Sequence, residues 1–172
     1  QVLTSAGADA VPAFEAAAAG GKIVQVVHTT DGAFATGTTT IPLDNTIPQI
    51  TEGTEFMTLA ITPTNASNTL LIDVVTMSGT VTANIMAINA LFVGTTANAL
   101  ASAQGGMDSA ANRPQPTTAF RHKMTAGGTS ELTFRLRIGG NSASTIAFNG
   151  YNGGAHFGGT FASSMTIMEI AV

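Results

Sequence analysis

Leu132, Phe134, Leu136 and Ile138 alternate with Glu131, Thr133, Arg135 and Arg137, so residues 130–138 put apolar groups on one face and charged or hydroxyl groups on the other. A period of two belongs to a strand, here one half-buried against a core. From residue 22 onward the chain repeats this theme more weakly, in short runs of Thr, Val, Ile and Phe. The breaks fall at Asp31-Gly32, Pro42, Asp44-Asn45, Pro48, residues 63–68, Gly105-Gly106, Pro114, Pro116, Gly127-Gly128 and Gly139-Gly140. Further strands are expected over residues 22–28, 55–62, 69–78, 84–93, 117–125, 145–148 and 160–171. No heptad is sustained, which excludes a coiled coil. About eight strands with long crossings predict an all-β, jelly-roll-like β-sandwich rather than an up-and-down barrel.

Two of these strands differ from the rest. Residues 69–78 carry Leu70, Leu71, Ile72, Val74 and Val75, and residues 84–93 carry Ile85, Met86, Ile88, Leu91, Phe92 and Val93, so both faces are apolar. Such strands require cover on two sides, here expected from a second sheet and from another chain. Leu71→Asp and Phe92→Asp are therefore both expected to prevent soluble expression, and Tyr151→Ala to leave folding intact. With 172 residues there is enough chain for one core, assigned to residues 22–172. Residues 1–21 form a lead-in, which Pro12 biases toward extended backbone at Val11 and which has helical composition only over residues 13–19. A helix that short is marginal alone, so the lead-in is expected to be extended or briefly helical.

Only 9% of residues are charged against 44% hydrophobic, so the surface is either hidden in an oligomer or coated with Thr, Ser, Asn and Gly. The net charge of −4 and the scatter of six Lys and Arg, clustered only at Arg121-His122-Lys123 and Arg135/Arg137, argue against nucleic acid. The absence of cysteine removes disulfides, thiol nucleophiles and Cys-based zinc sites. No run of about 18 apolar residues is present to insert into a membrane, and no signal-peptide pattern opens the sequence. Asn65-Ala66-Ser67 fits a glycosylation acceptor, a pattern that matters only in a eukaryotic secretory protein.

Chemistry is sparse. His28, His122 and His156 are not paired at metal-ligand spacing, so no metal and no cofactor are expected. Glu52 and Glu55 supply the two carboxylates that glycoside hydrolysis needs, yet their surroundings read as the entry to a strand. No G-x-S-x-G elbow and no phosphate-cradling G-x-G-x-x-G occurs, and no enzyme is expected. Recognition is the better prospect, because loops on rigid β-scaffolds commonly carry it. One candidate is the glycine-rich stretch 139–159, where Tyr151 offers an aromatic face and Asn149, Asn152 and His156 offer hydrogen bonds. The bland reading of the same stretch is a set of tight turns that let chain segments approach closely. The other candidate is the loop 103–116, with Met107, Asp108, Asn112 and Arg113.

The opening segment, through Gln1, Val2, Leu3, Thr4, Ser5, Gly7, Ala8, Ala10, Pro12 and Phe14, resembles a short motif of tailed-bacteriophage tail fibre proteins, where it precedes the distal β-structured domain. Residues 22–63 and 157–170 extend the resemblance to roughly half the chain. The resemblance implies a fibre domain that acts outside the cell after synthesis in the host cytoplasm. It also implies a homotrimer, joined to other virion proteins through the N-terminal segment and attaching to a host surface receptor such as a glycan or protein. The alternative it leaves open is a purely structural virion role as decoration, collar or head-fibre component. A start at Gln1 fits either a matured protein or a cut fragment.

Overall fold

The computed structural model describes residues 2–4, 13–15, 21–106, 113–114 and 117–172. The strands are β1 (Val2–Thr4), β2 (Ala13–Glu15), β3 (Ile23–Asp31), β4 (Ala35–Gly37), β5 (Thr54–Ile61), β6 (Thr69–Thr76), β7 (Ser78–Thr80) and β8 (Ala87–Val93). They continue as β9 (Ala101–Gln104), β10 (Arg113–Pro114), β11 (Thr118–Thr125), β12 (Leu132–Gly140), β13 (Ile146–Phe148), β14 (Gly150–Tyr151), β15 (Gly154–Ala155) and β16 (Ser163–Ile170). In the lead-in, β1 and β2 pair antiparallel, Leu3 opposite Phe14. Ala13–Glu15 is thus extended, and the helical option fails there because cross-strand pairing offers its backbone groups partners that so short a helix lacks.

Two four-stranded antiparallel sheets form the sandwich, ordered β3-β16-β6-β11 and β5-β12-β8-β9. Counted among themselves, these eight strands run 1-8-3-6 in one sheet and 2-7-4-5 in the other, which is the jelly-roll arrangement. Seven of the eight carry a strand expected from sequence. The exception is β9, whose Ala-Ser-Ala-Gln has neither β-branched nor aromatic residues to mark it. The expected strand over residues 145–148 does exist, as β13, but lies outside the sandwich.

The core follows the period of two. Leu70, Ile72 and Val74 from β6, Phe134, Leu136 and Ile138 from β12, Met165 and Ile167 from β16, and Ala87 and Leu91 from β8 are all buried in one cluster. Burying a side chain of this size contributes roughly 1.5–3 kcal/mol. The opposite face of β8 is also buried, but its cover comes from within the chain. Ile41 and Ile50, in the long connection between β4 and β5, pack on Ile88, Ala90 and Phe92. Arg135 and Arg137 hold neighbouring loops to that face. Arg135 Nε donates to the Gly94 carbonyl at 2.9 Å, Arg137 donates to the carbonyls of Glu52 and Gly53 at 2.9 and 2.8 Å, and both guanidinium groups pair with Glu55. The expectation that another chain covers residues 84–93 is thereby corrected.

The outer face of the β3-β16-β6-β11 sheet is different. Register aligns Val26, Met168, Leu71 and Lys123 in one cross-strand row, and His28, Thr166, Asp73 and Arg121 in the next. Val24 and Val26 are exposed on the edge strand, and Leu71, Val75, Met168 and Ile170 are only half-buried. Among the described residues, no segment of the chain covers this face as residues 41 and 50 cover the other.

Candidate recognition site at the capped end of the sandwich

Four connections cross between the sheets at one end of the jelly roll: β3 to β5, β6 to β8, β9 to β11 and β12 to β16. Each contributes one strand to a third antiparallel sheet, ordered β10-β7-β13-β4. The cap is anchored by Phe148, fully buried and stacked on Phe56 with ring centroids 4.8 Å apart. Loop segments that are distant in sequence are thus fixed side by side on a rigid base, the arrangement in which loops serve recognition.

The last of these connections, residues 141–162, carries the cluster. After β13 the chain turns at Asn149, whose φ of 53° lies in the left-handed region that Asn tolerates better than most residues. Its side chain is almost wholly buried and its amide is fully used. Nδ2 donates to the carbonyls of Asp31 and Ala33 at 2.7 and 3.1 Å, and Oδ1 accepts from the Ser163 backbone N–H and hydroxyl at 2.9 and 2.7 Å. Asn149 therefore splices three segments together. It has no amide hydrogen left for a ligand, which removes it from the recognition set.

The segment 150–155 is a hairpin. Gly150 pairs with Ala155 and Tyr151 with Gly154, leaving Asn152 and Gly153 as a two-residue turn with φ of 50° and 76°. Positive φ at both central residues is the type I′ turn, for which Asn-Gly is the preferred dipeptide. That dipeptide is the local sequence signal for this hairpin, within a stretch whose flanking glycines read either as loop or as tight turns. Asn152 sits exposed at the tip.

Four rings gather beside the hairpin. Tyr151 and His156 stack in parallel with centroids 3.7 Å apart and planes 10° apart, and His156 Nε2 donates to the Tyr151 carbonyl at 2.8 Å. Phe161 meets Tyr151 edge-on at 6.3 Å, and Phe157 meets Phe161 at 6.2 Å and His156 at 6.3 Å. Phe157 is 71% exposed with φ of 53°, the start of three consecutive positive φ values through Gly158 and Gly159. Gly159 in turn packs directly against Gly32, where any Cβ on Gly32 would collide with the Gly159 carbonyl. Phe157 and Phe161 were not singled out from sequence; isolated Phe residues in a glycine-rich stretch carry no periodic signal.

The second sequence candidate is divided. Asp108 and Asn112, with Met107, lie outside the described residues. Arg113 belongs to β10, which pairs with β7 in the cap sheet and lies next to β14, so its backbone is brought to the same end as Tyr151.

The remaining polar candidates have structural partners. Glu52 accepts from the Gln49 backbone N–H at 2.8 Å, and Glu55 is held between Arg135 and Arg137. Asn65 Oδ1 accepts from the Ser67 backbone N–H and hydroxyl, both at 2.9 Å, closing a local turn. His28 bonds Thr166 and Thr30 on the open sheet face, each at 2.8 Å. His122 alternates inward with Phe120 and Met124, and burial pulls its pKa below the ordinary histidine value. Among the described residues no three His, Asp or Glu side chains converge as a metal site would require. No helix there is long and apolar enough to cross a membrane.

The strand order defines the class as an eight-stranded jelly roll. No protein-family model and no curated protein matches the chain. Among solved structures it is similar to the infectious bursal disease virus VP2 subviral particle, with a TM-score of 0.39 and 10% identity over 87% of this chain and 38% of that one. It is also similar to the structure of the infectious bursal disease virus Gt strain, with a TM-score of 0.39 and 9% identity over 99% of this chain and 42% of that one. The chain spans about two fifths of the length of each.

Proposed function

We propose that the protein is a non-enzymatic virion fibre domain that attaches to a host surface receptor through the capped end of its jelly roll. The observation that carries this reading is the convergence of four inter-sheet connections at one end, where a half-buried aromatic cluster with an exposed Phe157 stands on a rigid base. Jelly rolls serve capsid proteins, lectins and other classes alike, so the fold alone does not choose among them. The resemblance of residues 1–14, 22–63 and 157–170 to phage tail fibres supplies the virion setting. The half-open sheet face with Val24, Val26, Leu71 and Met168 supports self-assembly, and a homotrimer closing there would multiply weak individual sites by avidity.

That same half-open face supports a second reading, a purely structural virion component docked on a neighbouring particle protein. Binding of fluorescently labelled domain to host bacteria, with competition against infecting phage, separates the two. Cell binding that blocks infection is expected. Failure to bind any host cell, together with binding to purified capsids or tails, would favour the structural role.

A further inference from the structure

We propose that Phe157, with the stacked Tyr151–His156 pair behind it, forms a platform for one pyranose ring of a saccharide. The inference rests on the attachment reading above and names the ligand class for that end of the domain. Phe157 is the strongest reason. A bulky residue in the left-handed region is strained, and here that strain accompanies a ring left 71% exposed rather than a ring packed in the core. Gly158 and Gly159 continue the same backbone hand, and the tight seat of Gly159 on Gly32 fixes the base of the turn, so the ring is held outward by a built feature.

The chemistry around the ring matches a sugar. A pyranose has an apolar C–H face and a hydroxyl rim. Aromatic faces take the first, and the Tyr151 hydroxyl, the exposed Asn152 amide and the His156 ring edge supply groups of the kind that bond the second. Donation from His156 Nε2 to the Tyr151 carbonyl makes Nδ1 the acceptor of the neutral imidazole. In the segments 31–37, 78–80 and 146–162 the sole Asp, Glu, Lys or Arg is Asp31, whose carboxylate already accepts from the Ala33 backbone N–H at 2.7 Å. These segments therefore offer ring contact and neutral hydrogen bonds, and the neighbouring cap strand β10 adds the cationic residue Arg113 to the same end, which suits a weak site used in several copies.

The test is binding of biotinylated domain, tetramerised on streptavidin, to an array of bacterial surface polysaccharides and their mono- and oligosaccharide units, with host-cell binding in parallel. Native protein is compared with Phe157→Gly, Phe157→Ala and Tyr151→Phe. Phe157→Gly removes the ring while relieving the backbone, so its melting temperature is expected to equal or exceed the native value. Saccharide binding is expected in the native protein and to fall about tenfold or more in both Phe157 variants, as loss of one stacked ring predicts. Tyr151→Phe keeps the stack and is expected to lose less. Cell binding with no saccharide bound on the array, or undiminished saccharide binding by Phe157→Gly, would overturn the platform and leave attachment standing. Binding to neither cells nor array would overturn both. A lowered melting temperature in Phe157→Gly would assign the ring to packing and overturn the platform also.

Discussion

Glu169 Oε1 accepts a 2.7 Å hydrogen bond from Asn68 Nδ2, joining the last strand to a loop 101 residues away in sequence. The same oxygen accepts from the Thr64 backbone N–H and hydroxyl at 2.7 and 2.8 Å and from the Asn65 N–H at 3.3 Å, while Gln25 Nε2 donates to Oε2 at 3.4 Å. The side chain is fully buried and, among the described residues, forms no ion pair. Burial opposes its ionisation, but the bonds from Asn68, Thr64 and Asn65 outweigh it and hold the carboxyl below its ordinary range. A carboxylate can be stabilised by donors alone when enough of them converge.

Glu169→Gln turns one acceptor oxygen into a donor facing Gln25 and removes charge from the remaining bonds. A loss of about 1–3 kcal/mol in urea unfolding is expected. Because the folded pKa is depressed, this group's contribution is present above the unfolded carboxyl pKa and is lost as pH falls through the folded value. Native protein should therefore lose stability below about pH 4.5, and the Gln variant should lose less over that range.

His122 gives a second, separate pH response. Its folded pKa is lowered by burial, so the unfolded state binds the proton more readily and stability begins to fall as pH drops past the unfolded value of about 6.5. His122→Leu should flatten the melting temperature between about pH 7 and 5 while leaving the Glu169 response below that range unchanged. An identical slope in both proteins would remove His122 as the cause.

Thr118 Oγ1 is buried without a hydrogen-bond partner among the described residues, beside Thr76, which bonds the buried Asn89 at 3.0 Å. Thr118→Val keeps the shape and removes an unsatisfied hydroxyl, so stability is expected to be unchanged or to rise by up to about 1 kcal/mol. A clear loss in denaturant titration would reveal a partner for that hydroxyl.

Leu71 and Phe92, alike in a sequence reading, separate by position. Phe92 is fully buried between β8 and the chain's own 38–53 segment, so Phe92→Asp should abolish soluble folded protein. Leu71 lies half-buried on the open face, so Leu71→Asp should fold as a monomer. In native protein, light scattering on a sizing column is expected to give the mass of three chains. The same monomeric mass for native and Leu71→Asp would show that the face is not used for self-association.

Asn149 tests the cap. Asn149→Ala leaves the Asp31 and Ala33 carbonyls and the Ser163 N–H without their partner, and removes a residue type suited to positive φ. A loss of about 2–3 kcal/mol is expected, read as a fall in melting temperature with Tyr151→Ala as the undisturbed control.

The alternation in residues 130–138 and the spacing of Gly and Pro were enough to place seven of the eight sandwich strands, because burial on one face imposes a period of two that the sequence must carry. The lead-in break and the Asn152-Gly153 turn were equally local. What covers a strand was not local. Apolar residues on both faces of β6 and β8 look the same in sequence, yet β8 is covered by Ile41 and Ile50 and β6 is left half-open, since only folding brings residues 41 and 88 together. The fate of Asn149 and Glu169 was decided in the same way. Both have partners from remote segments, and whether a polar side chain is spent on packing or offered to solvent depends on those partners rather than on its neighbours in sequence.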